Sequence, residues 1–245
     1  MKLEKILTWL DRTLRASDFD DVSNNGLQIE VCDRPITTVA FAVDASVSAV
    51  EAAAKAGAEL LVVHHGISWG GGIRRIAGGV GAVVRAAIGS KVAVAAYHLP
   101  LDAHPTLGNN AQIAKLLKLG DVRPAFRYHG NVIGLTGVLK QPAALAALGA
   151  GEDVVSLKGP LKLGVCSGGA GEFAEEAKRL GCDLYLTGEA NWGDVIAAEN
   201  VGMKMICAGH YETEVFGVRA LSQAMKKSLK VHTVDLTEEC SNGRP

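Results

Sequence analysis

The chain has 245 residues, of which 48% are hydrophobic and 21% are charged. This length and apolar content are sufficient for one large or two small folded domains and argue against a largely disordered chain. The 25 Lys and Arg residues nearly balance the 26 Asp and Glu residues, and the formal net charge is −1. A strong overall basic character is therefore excluded, and nucleic acid is not the expected partner.

The cysteines and the apolar runs indicate in which cellular compartment the protein is expected. The five cysteines are widely spaced, and no two of them form a Cys-x-x-Cys motif, which argues against a disulfide framework and against a thiolate zinc site. Charged residues interrupt the first apolar stretch, so no signal peptide is predicted. The apolar runs are too short to cross a bilayer. We expect a soluble cytoplasmic protein.

The first half of the chain alternates predicted helices with short buried strands. Apolar residues in 2–14 recur at helical spacing. Asn109 is expected to cap the last helix of this half, and Gly120 to close it. The elements predicted after the first helix are strand 38–43, helix 46–55, strand 60–63, helix 80–88, strand 92–97 and helix 109–119.

The second half continues the alternation after a looser stretch at 121–130, which contains Pro124 and Gly130. This stretch is the predicted domain boundary, with a first α/β domain at 1–125 and a second at 126–214. The final helix and strand, about 215–245, belong to either domain. The predicted elements are strand 131–139, helix 141–149, strand 163–166, helix 171–180, strand 183–187, helix 194–201, strand 204–208, helix 212–228 and strand 231–236.

A weak internal repeat relates residues 54–60 to residues 177–184. Each copy reads as a helix, a glycine stop, a strand and a polar ending. In each half, the next buried strand leads into a histidine followed four residues later by a carboxylate. The pairs are His98 with Asp102 and His210 with Glu214. A duplication and a chance similarity between two βα units both remain open.

Metal-capable side chains follow three predicted strands. His64 and His65 follow the strand at 60–63, His98 follows the strand at 92–97, and His210 follows the strand at 204–208. In parallel α/β sheets, ligands bind beyond the carboxyl ends of the strands. Imidazole and carboxylate ligands without thiolate suit Zn, Mn, Fe, Co or Ni. A structural histidine at a strand end is the alternative at each position.

The adjacent histidines suggest more than one ion. In a continuing strand, His64 and His65 would point to opposite faces of the sheet. If the strand stops there and Gly66 lets the backbone turn, both imidazoles can face one cavity and hold two different ions. A carboxylate such as Glu214 could bridge those ions, because each of its two oxygens can bind one metal. Two ions about 3.5–4 Å apart would activate water and clamp a substrate oxygen.

Other polar residues are open to two interpretations. Trp69, in a glycine-rich loop, stacks on a planar ligand or covers the site. Glu189 follows the strand at 183–187 and contacts a ligand or caps the next helix. His104 is a supporting residue near the site, whereas His129 and His232 are expected at the surface.

These stretches together resemble the Nif-three-like dinuclear metal-centre family, whose bacterial members are often called GTP cyclohydrolase I type 2 homologues. The resemblance spans nearly the whole chain, with the motifs in the same order. Its motifs are Ser23-Asn24-Asn25-Gly26-Leu27-Gln28, Val63-His64-His65-Gly66, Tyr97-His98-Leu99-Pro100-Leu101-Asp102, Leu107-Gly108-Asn109-Asn110, Leu186-Thr187-Gly188-Glu189 and Gly209-His210-Tyr211-Glu212-Thr213-Glu214.

The resemblance implies two related α/β domains with a two-metal site in the cleft between them, and a homohexamer. It implies the metal ligands His64, His65, Asp102, His210 and Glu214. Glu214 would be the bridging ligand, and His98 would lie close by. The glycine-rich loop at 66–72 departs from the family pattern, so the substrate side of the pocket is not assigned.

The resemblance also implies a function. In a cyclohydrolase, a metal-bound hydroxide would attack C8 of the guanine ring of GTP, and ring opening would release formate. His98 and Glu189 are the candidate catalytic proton carriers. The alternatives are a metal-dependent phosphoester hydrolase, since dinuclear sites serve that reaction class, and a non-enzymatic metal-binding or regulatory scaffold.

Overall fold

The structure, a computed structural model, describes residues 1–31 and 34–241. The chain divides into two compact units, Met1–Leu101 with Val218–Pro245 and Asp102–Gly217. Each unit contains a five-stranded sheet with helices, which confirms the predicted α/β class. No helix in the described part of the chain is long and apolar enough to cross a membrane.

The sheet of the first unit has the strand order β1-β4-β3-β2-β10. Four of its strands run parallel, and β1 is an antiparallel edge. The strands are β1 (Gly26–Ile29), β2 (Thr38–Asp44), β3 (Leu60–His65), β4 (Ala93–Ala96) and β10 (His232–Asp235). The helices are α1 (Leu3–Leu14), α2 (Val47–Lys55), α3 (Gly78–Ser90) and the greater part of α9 (His210–Ser228), with a 3-10 turn at Ala16–Asp18.

The core of the first unit lies against the central strands β2, β3 and β4, which are almost continuously apolar. A parallel strand covered on both faces requires this pattern. The amphipathic helix α1 buries Leu3, Ile6, Leu10 and Leu14, as its spacing predicts. Helix α2 begins where the Ser46 hydroxyl accepts a hydrogen bond from the Ala49 amide at 3.0 Å.

The sheet of the second unit has the strand order β5-β6-β7-β8-β9. Strands β7, β8 and β9 are parallel, and β5 and β6 extend the sheet in antiparallel fashion. The strands are β5 (Gly120–Tyr128), β6 (Asn131–Leu139), β7 (Leu161–Cys166), β8 (Leu184–Thr187) and β9 (Lys204–Cys207). The helices are α5 (Asn109–Leu116), α6 (Glu152–Val155), α7 (Ala174–Arg179) and α8 (Trp192–Asn200), with 3-10 segments at Pro142–Leu148 and Gly171–Phe173. The short helix α4 (Leu99–Asp102) contains the point at which the chain passes from the first unit to the second.

The sequence missed β1 and the greater part of β5, and both are edge strands. Three of the four residues of β1 are only half-buried, and most of β5 is exposed. An edge strand needs few buried side chains, so it shows little apolar alternation. Pro124 and left-handed residues such as Asp121 further obscure β5, which reads from the sequence as a loop.

The expected domain boundary at residue 125 falls inside β5. The structure divides the chain instead between Leu101 and Asp102 and between Gly217 and Val218. The final strand β10 pairs in parallel with β2, so it completes the first sheet.

Two local predictions need correction. Asn109 does not cap α5, because Gly108 is the N-cap residue and makes no side-chain cap. Asn109 is instead fully buried and donates to Asp102. The strand at 60–63 continues through His65, so the backbone does not turn before the two histidines.

Candidate metal centre

Three histidines of the first unit lie together at the carboxyl ends of β3 and β4. The ring centroids of His64 and His65 are 4.6 Å apart, and the ring of His98 lies 5.0 Å from His64 and 5.7 Å from His65. One ring nitrogen from each lies within 4.8 Å of the other two, a grouping able to hold a metal ion. Neighbouring parallel strands end side by side, which brings His98 to the pair.

Neighbouring strands orient the adjacent imidazoles. Nδ1 of His64 lies 3.1 Å from the carbonyl oxygen of Tyr97, which follows β4. Nδ1 of His65 lies 2.8 Å from Oδ1 of Asp44, at the end of β2. The two rings are therefore tied to opposite sides of β3 and yet remain in contact, although the strand does not stop before them.

A buried carboxylate holds His98. Oδ1 of Asp21 lies 2.8 Å from Nδ1 of His98, and Oδ2 accepts from the Leu99 amide at 2.9 Å. The Asn25 amide donates to Asp21, and its oxygen accepts from the His98 amide. Burial raises the pKa of Asp21, but hydrogen bonds from His98 and other donors outweigh this effect and hold the pKa below its usual value.

Residues 23–28, singled out in the sequence, support the loop that follows the histidine pair. Oε1 of Gln28 accepts from the Ile67 and Ser68 amides at 2.7 and 3.1 Å. A Cβ atom on Gly66 would lie 2.2 Å from that oxygen, so a larger residue would displace the Gln28 amide. The same loop carries Trp69, whose ring lies 5.2 Å from His98 and 6.0 Å from His65. Trp69 therefore lies beside two of the three histidines, His98 and His65.

The second unit places His210 and Glu214 one turn apart on α9. The helix begins at His210, two residues earlier than predicted, so both side chains lie on one helical face. Nε2 of His210 is 3.2 Å from Oε1 of Glu214. An imidazole nitrogen and a carboxylate oxygen at this separation could both bind one divalent cation. The other ring nitrogen, Nδ1, lies 2.9 Å from Oε1 of Glu189.

Asp102 is buried beside the same glutamate. One carboxylate oxygen of Asp102 lies within 4.8 Å of a Glu214 oxygen. The Asn109 amide donates to Oδ1 of Asp102 at 2.8 Å, and the Ser167 hydroxyl donates at 3.1 Å. In the second unit, Glu214 thus lies near both a carboxylate and an imidazole.

Gly168 makes room for Glu214 after β7. Its φ is +68°, and a Cβ atom there would lie 2.4 Å from Oε1 of Glu214 and 3.4 Å from Nε2 of His210. The sequence analysis did not select Gly168 and Gly169. A glycine pair directly after a buried strand was the available signal, because it permits close approach of the backbone.

The four histidines share one hydrogen-bonding arrangement. In His64, His65, His98 and His210, Nδ1 faces a carbonyl or carboxylate oxygen. These oxygens only accept hydrogen bonds, so in His64, His65 and His98 the proton on Nδ1 leaves the lone pair on Nε2. In His210 the second nitrogen, Nε2, also faces a carboxylate oxygen, Oε1 of Glu214. Metal-binding histidines are held in this way in proteins. The donor set of imidazole nitrogens and carboxylate oxygens therefore fits divalent Zn, Mn, Fe, Co or Ni.

The supporting carboxylates were the part of the centre that the sequence analysis missed. Asp44 ends β2 beside the end of β3, which was the available signal, whereas Asp21 lies outside any strand and gave none. Glu189, predicted to contact a ligand or cap a helix, contacts His210; Asn191 caps α8.

Among the described residues, the remaining histidines are not part of the metal-capable groups. Nδ1 of His104 accepts from the Thr106 and Leu107 amides within its own turn. His129 and His232 are exposed, as expected.

Comparison with known proteins gives a consistent assignment. The model of the family described as Duf34/NIF3 (NGG1p interacting factor 3) matches residues 1–242. A protein of Pyrococcus horikoshii named GTP cyclohydrolase 1 type 2 homolog is 39% identical, over 96% of this chain and 97% of its own. A Deinococcus radiodurans protein of the same name is 41% identical, over 89% and 86%.

A solved structure agrees with the fold. The crystal structure of TTHA1606 from Thermus thermophilus is similar with a TM-score of 0.78 and 30% identity. The similarity covers 96% of this chain and 98% of that one.

Proposed function

Because this chain belongs to the DUF34/NIF3 family, we propose that it is a dinuclear metal-dependent hydrolase of the GTP cyclohydrolase type. The observation that carries the proposal is the shared arrangement of four histidines, each with Nδ1 held by an oxygen. Such second-layer contacts fix the ring and make Nε2 a better ligand. Two buried carboxylates, Asp102 and Glu214, complete a donor set for hard or borderline divalent cations.

In this proposal five residues hold two divalent cations: His64, His65, Asp102, His210 and Glu214. Glu214 is the proposed bridging ligand, since it lies near both Asp102 and His210. Two such cations would supply an acidified water and would stabilise negative charge on a substrate oxygen.

Two further groups are proposed to move protons. The carboxylate of Glu189 is 63% exposed and contacts His210, so it can exchange protons with water while it orients that imidazole. His98 is held by Asp21 beside the other two histidines of its unit. Within the cyclohydrolase reaction, these groups would serve two additions of water at C8 of guanine. The first would open the ring to a formamide by breaking one C–N bond, and the second would break the other C–N bond and release formate. The name that the relatives carry supports GTP as the first substrate to test.

The first test is the metal content of protein purified without an affinity metal. We expect about two ions per chain in the wild type. His65→Ala and Glu214→Ala should each lower this content, because each removes a ligand. His232→Ala is the matched control, since this exposed histidine of β10 lies outside the groups described above.

The outcomes separate the metal centre from the reaction. Absence of bound metal after reconstitution with Zn, Mn or Fe would overturn the dinuclear centre. Bound metal with no formate released from GTP would overturn the cyclohydrolase step alone. Release of formate that is lost in Glu214→Ala but kept in His232→Ala would support both parts.

We also propose that the chain assembles as a homohexamer, as its resemblance to the family implies. Light scattering on the eluting peak should give a mass close to six chains. A monomeric mass at micromolar concentration would contradict this proposal without bearing on the metal centre.

A further inference from the structure

The second unit contains a cavity of about 660 Å³ beside α5 and β6. Sites for small organic ligands are typically about 300–1,000 Å³. Apolar side chains form most of its wall, including Ala111 and Ala114 of α5 and Val132, Ile133 and Leu135 of β6. We refer to this space as the α5–β6 cavity.

The carboxylate and ammonium groups of the α5–β6 cavity belong to residues at its two ends. Asp102 lines one end, near the start of α5, where Asn109 donates to it. Lys115 and Lys118 line the other end, at the last turn of α5 and just beyond it. A helix rises 1.5 Å per residue, so the two ends are separated by about 12 Å.

Charge and shape together select a class of ligand. Two exposed lysines line one end of an apolar wall, which suits an anionic group attached to an apolar body. Among the lining residues that the structure describes, Asp102 carries the only carboxylate, which already accepts hydrogen bonds from Asn109 and Ser167. It also lies within 4.8 Å of Glu214, so a molecule filling the cavity reaches the proposed metal ligands of this unit.

We propose that the α5–β6 cavity binds a small organic anion, with its anionic group at Lys115 and Lys118 and its apolar body between α5 and β6. The part of the molecule at Asp102 is then the part presented for reaction. This inference rests on the proposed function and deepens it, because it assigns the chemical class of the substrate.

A matched pair of fluorescent probes tests the charge requirement on the metal-loaded full chain. The probes are 8-anilinonaphthalene-1-sulfonate, which is anionic, and N-phenyl-1-naphthylamine, which lacks the sulfonate. The double substitution Lys115→Gln and Lys118→Gln should raise the dissociation constant of the anionic probe about tenfold. The dissociation constant of the neutral probe should stay within about twofold of its wild-type value. The control is Lys226→Gln with Lys227→Gln, in the last turn of α9, which should change neither.

A second variant tests the location. Ala111→Trp places an indole in the cavity and should abolish binding of both probes, while metal content stays at the wild-type value. If both probes bind Ala111→Trp normally, or if the lysine variant binds the anionic probe as tightly as its control does, the inference is overturned.

A third variant separates binding from folding. Lys118 has a φ of +52°, and Lys91, after α3 in the first unit, has a φ of +56°. Glycine adopts this left-handed conformation without strain, so Lys118→Gly and Lys91→Gly should both keep or raise the melting temperature. Only Lys118→Gly should weaken binding of the anionic probe, by about threefold in the dissociation constant. An equal effect of Lys91→Gly would contradict a binding role for Lys118.

The measurements distinguish this inference from the proposed function. If metal content is normal but probe binding does not depend on the lysines, the proposed anion site is overturned and the proposed metal centre stands. If the probe binding depends on the lysines but the chain binds no metal, the proposed hydrolase function is overturned. The bound anion would then not be a substrate.

Discussion

The segment β2–α2–β3 of the first unit and the segment β7–α7–β8 of the second are built alike. In each, a glycine with φ of +73° comes after the helix, Gly57 in one and Gly181 in the other. An acidic residue then precedes the second strand and accepts from a backbone amide at the start of the first. Glu59 accepts from Thr38 at 3.0 Å, and Asp183 accepts from Lys162 at 2.7 Å. The weak repeat in the sequence therefore corresponds to a shared local construction.

The two segments differ in the side chains at the end of the second strand. Strand β3 ends in two imidazoles, whereas β8 leads into Glu189, which supports a histidine from the next element. The first unit thus gathers nitrogen donors with carboxylates behind them, and the second gathers carboxylates with one imidazole. The fold therefore supplies the strand-end positions, while the side chains placed there decide the donor chemistry.

The largest effect is expected from the glycines that border the two ligand groups. In Gly168→Ala, the alanine would have to adopt the left-handed φ of Gly168, and its Cβ would lie 2.4 Å from Oε1 of Glu214. We expect metal affinity to fall about 100-fold, because the carboxylate must move. Gly66→Ala meets only the terminal amide of Gln28, which can rotate, so its loss should be smaller. Metal titration monitored by competition with a chelator measures both, and equal losses would contradict the comparison.

The carboxylates behind the ligands should have the next largest effect. Asp44 holds His65 and Glu189 holds His210, with side chains 27% and 63% exposed. Asp44→Asn should weaken metal binding about tenfold, and Glu189→Gln about threefold, because water replaces an exposed partner more easily. A ranking in the opposite order would show that burial does not set the strength of this support.

Removal of the acidic residue that precedes the second strand in each segment should lower stability and leave metal binding unchanged. Glu59 is buried and accepts from Thr37 and Thr38, so Glu59→Ala should cost about 3 kcal/mol of unfolding free energy. Asp183 is exposed and accepts from the Lys162 amide, so Asp183→Ala should cost about 1 kcal/mol. Urea unfolding checks both values, and similar costs would show that the two positions are not graded by burial.

The buried carboxylate of Glu59 should also affect how stability depends on pH. Burial raises the pKa of Glu59, but hydrogen bonds from Thr38 and Thr37 outweigh it and leave the pKa below its usual value. A lowered pKa stabilises the folded state above the pKa of the unfolded chain, and that contribution is lost as pH falls through the acidic range. Unfolding measured from neutral pH to about pH 3 should therefore show a shallower decline in Glu59→Ala than in the wild type.

The smallest effect is expected from the two fully buried tyrosines. Tyr185 donates to the Ala170 carbonyl at 2.6 Å, and Tyr97 donates to Asp11 at 2.7 Å. Tyr185→Phe and Tyr97→Phe should each cost about 1 kcal/mol, with the smaller cost at Tyr97 because Asp11 is exposed to water. Thermal unfolding of the two variants measures the difference.

Tyr185 also predicts an alkaline signature. Burial raises the pKa of its hydroxyl well above the usual value. A raised pKa stabilises the folded state below the pKa of unfolded tyrosine, about 10, and this contribution is lost as pH rises above it. Tyr185→Phe should therefore flatten the decline in stability above pH 10, and an unchanged alkaline profile would contradict this role.

The sequence by itself determined the α/β class, the central strands and the proposed ligand residues. Buried parallel strands must be continuously apolar, and amphipathic helices must repeat their apolar residues, so both are readable locally. Metal-capable side chains directly after such strands are equally readable, as His64, His65 and His210 illustrate.

Only the tertiary structure decided the edge strands, the division of the chain and the residues behind the ligands. Strands β1 and β5 depend on pairing with a neighbour rather than on their own burial pattern. Asp21 reaches His98 across 77 positions of sequence, and Gly168 reaches Glu214 from a different strand. Contacts between distant segments leave no periodicity in the sequence, so packing alone brings these groups together.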